Sequence, residues 1–149
     1  MLFESTKTYT HATGLSCAFR QWRADSHCKF LHGYALEVRI VFSTNQLNAN
    51  NWVVDFGGMK PVKQWLEDQF DHKTLVAFDD PGMEWFLAAK NQGLVDLKVV
   101  KATGCEAFAE LIYNYVKEWL SANVGSRVTL KSVEVKEHQG NSALARLYP

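Results

Sequence analysis

The sequence predicts an α+β fold: a four-stranded antiparallel sheet with two main helices on one face, in the order β-β-α-α-β-β. Three observations predict it. Between residues 34 and 43, Leu36, Val38, Ile40 and Phe42 alternate with Ala35, Glu37, Arg39 and Val41, which is the period of a half-buried strand. Between 104 and 122, Phe108, Leu111, Ile112, Tyr115, Val116, Trp119 and Leu120 form one wide apolar stripe at helical spacing. Two further strands, at 128–138 and 142–148, flank Gly140-Asn141, a tight-turn pair.

The remaining elements follow in order. Residues 2–11 read as the first strand, in which Thr8 and Thr10 alternate with larger residues and His11 shares a face with Tyr9. Residues 12–30 read as irregular, with a basic–aromatic stretch at Phe19-Arg20-Gln21-Trp22-Arg23. Asn45 to Asn51 is a polar turn. Residues 52–56 (Trp-Val-Val-Asp-Phe) lead into a helix over 57–70, with Asp55 as N-cap and Pro61 in the first turn. Residues 79–93, from Asp79-Asp80-Pro81 to Gly93, read as a short extra helix.

Length and charge narrow the function. A chain of 149 residues, 47% of them hydrophobic, is expected to form a single domain over 1–149 with a sizeable core. Lys+Arg and Asp+Glu are 16 each, so bulk charge gives no drive toward nucleic acid and little colloidal repulsion between copies. No apolar run is long enough to span a bilayer, and residues 1–15 lack the basic start and apolar stretch of a signal peptide. A cytoplasmic location is the expectation. Three cysteines, Cys17, Cys28 and Cys105, cannot all pair within one chain and are read as thiols.

The chemistry-bearing residues are scattered. His32 and Tyr34 are two apart at a strand start, so their side chains share a face, where His11 from the neighbouring strand is a candidate third group. Three protein ligands and an open position is the arrangement of catalytic zinc. A phenol, with a pKa of about 10, ligates only after losing its proton and is a rare ligand. Structural strand histidines are the plainer explanation. Cys28, four residues before His32, is either a thiolate activated by a neighbouring cation or an inert buried thiol. His27 beside it reads as a solvated loop residue or a substitute ligand. Asp71-His72 is either a polar helix end or a proton-transfer pair in which the carboxylate fixes the imidazole tautomer. Glu137 continues the alternation of Val133 and Val135 onto the apolar face, so its carboxylate needs a partner: an amidine-like ring edge, or a salt bridge to Arg39 or Arg146. Glu106 is a first-turn acid of its helix. Arg20, Arg23 and Lys29 form either a triphosphate-neutralising loop or a solvated basic one.

Several ordered motifs together carry a family resemblance: His11, Cys28-x-x-x-His32-Gly33, Trp52-Val53-Val54-Asp55-Phe56, Asp71-His72-x-x-Leu75, Thr103-Gly104-Cys105-Glu106 and Val133-x-Val135-Lys136-Glu137. In that order they resemble the 6-pyruvoyl-tetrahydropterin synthase and 6-carboxy-tetrahydropterin synthase family. The family reads His-Gly-His where this chain has His32-Gly33-Tyr34. The resemblance implies the tunnelling fold, in which subunits join their sheets into a barrel. It also implies a hexamer of two trimers with active sites between subunits. It matches the zinc histidines to His11 and His32, with Tyr34 in the third position, the catalytic groups to Cys28, Asp71 and His72, and the pterin anchor to Glu137, with Thr103 and Glu106 beside the substrate. The implied substrate is 7,8-dihydroneopterin triphosphate. Triphosphate elimination gives 6-pyruvoyl-tetrahydropterin. Side-chain cleavage gives 6-carboxy-tetrahydropterin and acetaldehyde, on the way to deazaguanine nucleosides. The sequence does not choose between these outcomes. The stretch Ala12 to Ser26 departs from the family pattern. Two other classes stay open: a zinc-free relative acting on a pterin or purine-like ligand, and a non-catalytic oligomeric scaffold.

Overall fold

The long central strand organises the molecule. In the computed structural model, which describes residues 1–148, β3 runs from His32 to Thr44. Two shorter strands pair with successive stretches of it. β1 (Phe3–Tyr9) is antiparallel to residues 38–44, and β2 (Leu15–Phe19) is antiparallel to residues 32–36. Between them residues 10–14 loop out in register with Glu37 alone, and His11–Thr13 form a 3-10 turn there. β6 (Thr129–His138) pairs with β3 over 37–43, and β7 (Asn141–Ala145) pairs with β6.

The sheet has seven strands, not the expected four. β2 belongs to the segment expected to be irregular, and it exists because Leu15, Cys17 and Phe19 alternate into the core. β4 (Lys73–Ala77) and β5 (Asp96–Val100) extend the sheet in parallel beyond β2. Their runs Leu75-Val76-Ala77 and Leu97-Lys98-Val99-Val100 are too short to separate a buried parallel strand from a loop by periodicity alone. β7 ends at Ala145, short of the expected 148.

The helices fall close to their expected places. Asp55 caps a 3-10 turn (Phe56–Met59), its carboxylate accepting from the Gly57 N–H at 2.8 Å, and α1 (Lys60–Phe70) follows with Pro61 in its first turn. α2 (Met83–Asn91) is the short extra helix, and α3 (Cys105–Asn123) is the long one. Leu36, Val38, Ile40 and Phe42 of β3 are wholly buried with Val62, Leu66 and Phe70 of α1 and Phe108, Ile112 and Val116 of α3. The opposite face of the sheet is charged and paired: Lys131 with Glu4, Arg39 with Glu134 at 3.8 Å, and Lys136 with Glu37 at 3.6 Å. The two main helices, α1 and α3, thus cover one face, as the alternation of β3 requires.

Phe108 is the hub of the aromatic core. Its ring meets Phe19 edge-on at 5.0 Å and Phe70 at 5.3 Å. Phe108→Ala should lower unfolding stability by about 3–5 kcal/mol in urea titration, whereas Arg39→Ala on the charged face should change it by at most about 1 kcal/mol.

Candidate active site

The site residues gather at the start of β3. His32 and Tyr34 lie on the same face, with ring centroids 5.3 Å apart and edge to face. Gly33 between them is obligatory, because a Cβ there would stand 2.6 Å from the Cys17 carbonyl oxygen of β2. The strands can therefore pair closely only with glycine at this point. Phe19 is the register partner of His32. Its ring, fully buried, lies 5.5 Å from that of His32 and 6.0 Å from that of Tyr34.

Tyr34 links the remaining groups. Its phenol is held above the usual range first by burial, then by the nearby charges of Glu137, Cys28 and Cys105. These groups belong to the loop before β3, the first turn of α3 and the end of β6. The His138 ring also approaches Tyr34, at 6.2 Å. Glu137 accepts a hydrogen bond from Asn141 Nδ2 at 3.0 Å, and Arg39 is paired with Glu134 instead. The Glu137 carboxylate keeps acceptor capacity for a ligand.

The thiols differ. Cys105 is pushed up to about 11 by burial, with Glu137 and Glu106 adding to it, so the start of α3 does not activate this thiol. Burial pushes Cys17 up to about 12. Cys28 is half-buried in a 3-10 turn (His27–Lys29), and the Ser26 hydroxyl caps that turn at the Cys28 N–H. Of the three, it is the accessible one. Gly104, with φ of 108°, starts α3 in a conformation that favours glycine. The preceding Thr103 donates its hydroxyl to the Arg20 carbonyl at 2.6 Å, and Glu106 occupies the first turn of α3.

Asp71 and His72 form their pair, with Nδ1 and Oδ1 2.6 Å apart, but not beside Cys28. His72 adopts a left-handed backbone (φ of 57°), donates its N–H to Ser16 O, and leaves its imidazole 86% exposed. Ser16 precedes Phe19 by three residues, about 10 Å along the strand.

The expected metal ligands do not assemble. His11 sits in the loop-out between β1 and β2, its Nδ1 bonded to the Ala35 carbonyl and its Nε2 buried without a partner. Ala35 is three residues from His32, again about 10 Å. His32 does have the orientation of a ligand, with Nδ1 on the Phe30 carbonyl at 2.6 Å and Nε2 left free. Its neighbours on the same face, Phe19 and Tyr34, supply a hydrocarbon ring and a protonated phenol. Among the described residues no three His, Cys, Asp or Glu side chains are grouped to hold a metal ion. This donor set does not fit zinc.

The basic loop beside the site is engaged too. Arg20 makes a two-pronged bond to Asp80 (2.8 and 2.6 Å), and Arg23 bonds Asp79 at 2.7 Å. Asp80 is buried and also accepts from the Gly82 N–H at 2.7 Å. This ties residues 20–30 to the turn before α2. Two open concavities lie elsewhere. One of about 560 Å³ borders β1 and Trp52, and one of about 470 Å³ borders Trp22, Lys101 and Thr103. Neither is lined by Cys28 or Glu137.

The fold is an α+β sheet with its main helices on one face, and comparison with known proteins places the chain in a family that shares it. The profile of the 6-pyruvoyl tetrahydropterin synthase family matches residues 8–147, and the chain belongs to that family. The 6-carboxy-5,6,7,8-tetrahydropterin synthases of two Helicobacter pylori strains, J99 and 26695, are 27% and 26% identical to it over 120 residues. These matches cover 79% of the chain and only 60% of the relatives' own length. Among solved structures, protein WS1659 of Wolinella succinogenes superposes with a TM-score of 0.86 at 17% identity, over 98% of both chains. The 6-pyruvoyl tetrahydropterin synthase of Plasmodium falciparum does so with 0.71 at 16%, over 99% of both. No helix among the described residues is long and apolar enough to cross a membrane.

The Arg20–Asp80 bond yields a pH prediction. The Arg20 guanidinium holds the Asp80 carboxyl below its usual range, with the Gly82 N–H assisting against burial. A depressed folded-state pKa stabilises above the unfolded value of about 4 and is lost as pH falls through it. Asp80→Asn should therefore cost about 1–3 kcal/mol at neutral pH. It should also flatten the loss of stability between about pH 5 and 3, read by denaturant titrations across that range.

Proposed function

We propose that the chain is a tetrahydropterin synthase-like lyase acting on 7,8-dihydroneopterin triphosphate or a related pterin. The observation that carries this reading is the meeting of the end of β6, which bears Glu137, with Tyr34 at the start of β3, where the His138 ring lies 6.2 Å from that of Tyr34. Family membership and the names of the Helicobacter relatives support it.

The chemistry follows from the groups. A pterin presents two parallel N–H donors on its amidine edge, which suit the carboxylate of Glu137. With the ring anchored there, its carbon side chain points along β3 toward Cys28, His32 and Tyr34. Cys28 as its thiolate is placed to take a proton of that side chain, and the thiol so formed to return it. His72, held in one tautomer by Asp71, is a second proton carrier once it is brought near.

That approach requires another copy of the chain. β1 and β7 each keep one unpaired edge, the usual starting point for association between sheets. We propose a homo-oligomer, a hexamer of two trimers, in which the partner's Asp71–His72 pair completes each site. The partners in this reading are a small-molecule pterin and copies of the chain, in the cytoplasm.

Incubation of the purified protein with 7,8-dihydroneopterin triphosphate, followed by chromatography with fluorescence detection, is the direct test. Cys28→Ala should reduce turnover by about 100-fold or more with pterin binding retained. Glu137→Ala should weaken pterin binding by about 10-fold or more, through loss of a charge-assisted pair of hydrogen bonds. Wild-type protein that neither binds nor converts the pterin would remove the reading.

A further inference from the structure

We infer that this site works without a metal ion, and that a three-ring wall of Phe19, His32 and Tyr34 stands where a metal centre would require three donors. The inference rests on the pterin reading for its ligand but not for its metal chemistry. It starts from the register. Phe19 is the β2 residue directly opposite His32, and Tyr34 is the next residue of β3 on the same face. These three positions form a triangle of ring centroids at 5.5, 6.0 and 5.3 Å. Imidazoles at all three would meet a single ion. This chain places one there.

The two replacements are built into the surroundings. Phe19 is fully buried and packs edge-on against Phe108 of α3, so it is anchored in the core. His11, the histidine of the first fifteen residues, is committed to Ala35 O in the loop-out. What the wall offers a ligand is different from Lewis acidity. The free Nε2 of His32 accepts a hydrogen bond and the Tyr34 hydroxyl donates one, both from an aromatic surface. A vicinal diol side chain on a flat heterocycle matches that pair, one hydroxyl giving its hydrogen to His32 and the other receiving one from Tyr34. The holding groups are then neutral, and binding has no divalent-ion requirement.

Zinc alone is the probe. Wild-type protein, His32→Ala and the double variant Phe19→His/Tyr34→His are loaded with excess zinc chloride, desalted and analysed for metal by mass spectrometry. Wild type and His32→Ala should both retain less than about 0.1 zinc per chain, and the double variant should retain about one, since three imidazoles with an open position suffice. Its melting temperature should also rise on zinc addition, because a ligand bound only by the folded state stabilises it. About one zinc per wild-type chain, lost in His32→Ala, would overturn the inference. So would a folded double variant that stays at the wild-type level. Calorimetric titration of wild type with zinc chloride needs no variant to fold: absence of a stoichiometric site tighter than about 1 µM supports the inference, and its presence defeats it. None of these readouts uses pterin turnover, so an inactive protein would refute the proposed reaction and leave the metal result standing.

Discussion

The pairing of Phe19 with His32 is the contact on which the molecule turns. It is the last rung of the β2–β3 ladder, the point where the aromatic core reaches the surface, and the inner wall of the candidate site. Burying a phenylalanine contributes about 1.5–3 kcal/mol, and each well-oriented aromatic pair adds about 0.5–1.5 kcal/mol. The same ring therefore contributes to folding and fixes what the site can hold. Core packing and site chemistry cannot be varied separately here. A polar group at position 19 would be buried without a partner unless a ligand supplied one.

One long strand serves two halves of the sheet with different rules. The half of β3 that meets β1 and β6 is antiparallel throughout, with an apolar face under the helices and a charged, self-paired face opposite. The half that meets β2 leads into parallel neighbours β4 and β5. The site lies where the regimes change. There β6 has already slipped register between Lys136 and His138, and β3 runs on past it. Irregular pairing of β6 with β7 leaves Glu137 without a register partner there.

Much of this was legible in the residues. The alternation of β3, the stripe of α3 and the Asp55 cap predicted their elements closely, because each depends on local periodicity or local hydrogen bonding. What escaped the sequence depends on register. Five residues looped out opposite Glu37 move His11 away from His32 and bring Phe19 to the place a ligand would take. Nothing in the spacing of residues 7–19 reveals that loop-out before the strands are aligned. The parallel strands β4 and β5 escaped for another reason: five-residue apolar runs carry no period of their own. The basic loop was misleading as well. Arg20 and Arg23 look available in sequence, yet their carboxylates arrive from nearly sixty residues later, at Asp79 and Asp80.

The Asp71–His72 pair gives the proposed assembly its physical rationale. An imidazole 86% exposed, with its tautomer already fixed by a carboxylate at 2.6 Å, is prepared for proton transfer but surrounded by water. Holding His72 at a φ of 57° strains its backbone, and the bond to Ser16 O maintains that conformation at the sheet surface. In isolation this arrangement has no task, since water competes for every proton it handles. It becomes useful when a second surface covers it and carries a thiol such as Cys28. In the proposed assembly the cluster around Tyr34 contributes the anchor and the thiol, and the Asp71–His72 pair contributes a second proton carrier. In that proposal the Asp71–His72 pair of one copy meets the Tyr34 cluster of another, and the unpaired edges of β1 and β7 are where like would associate with like.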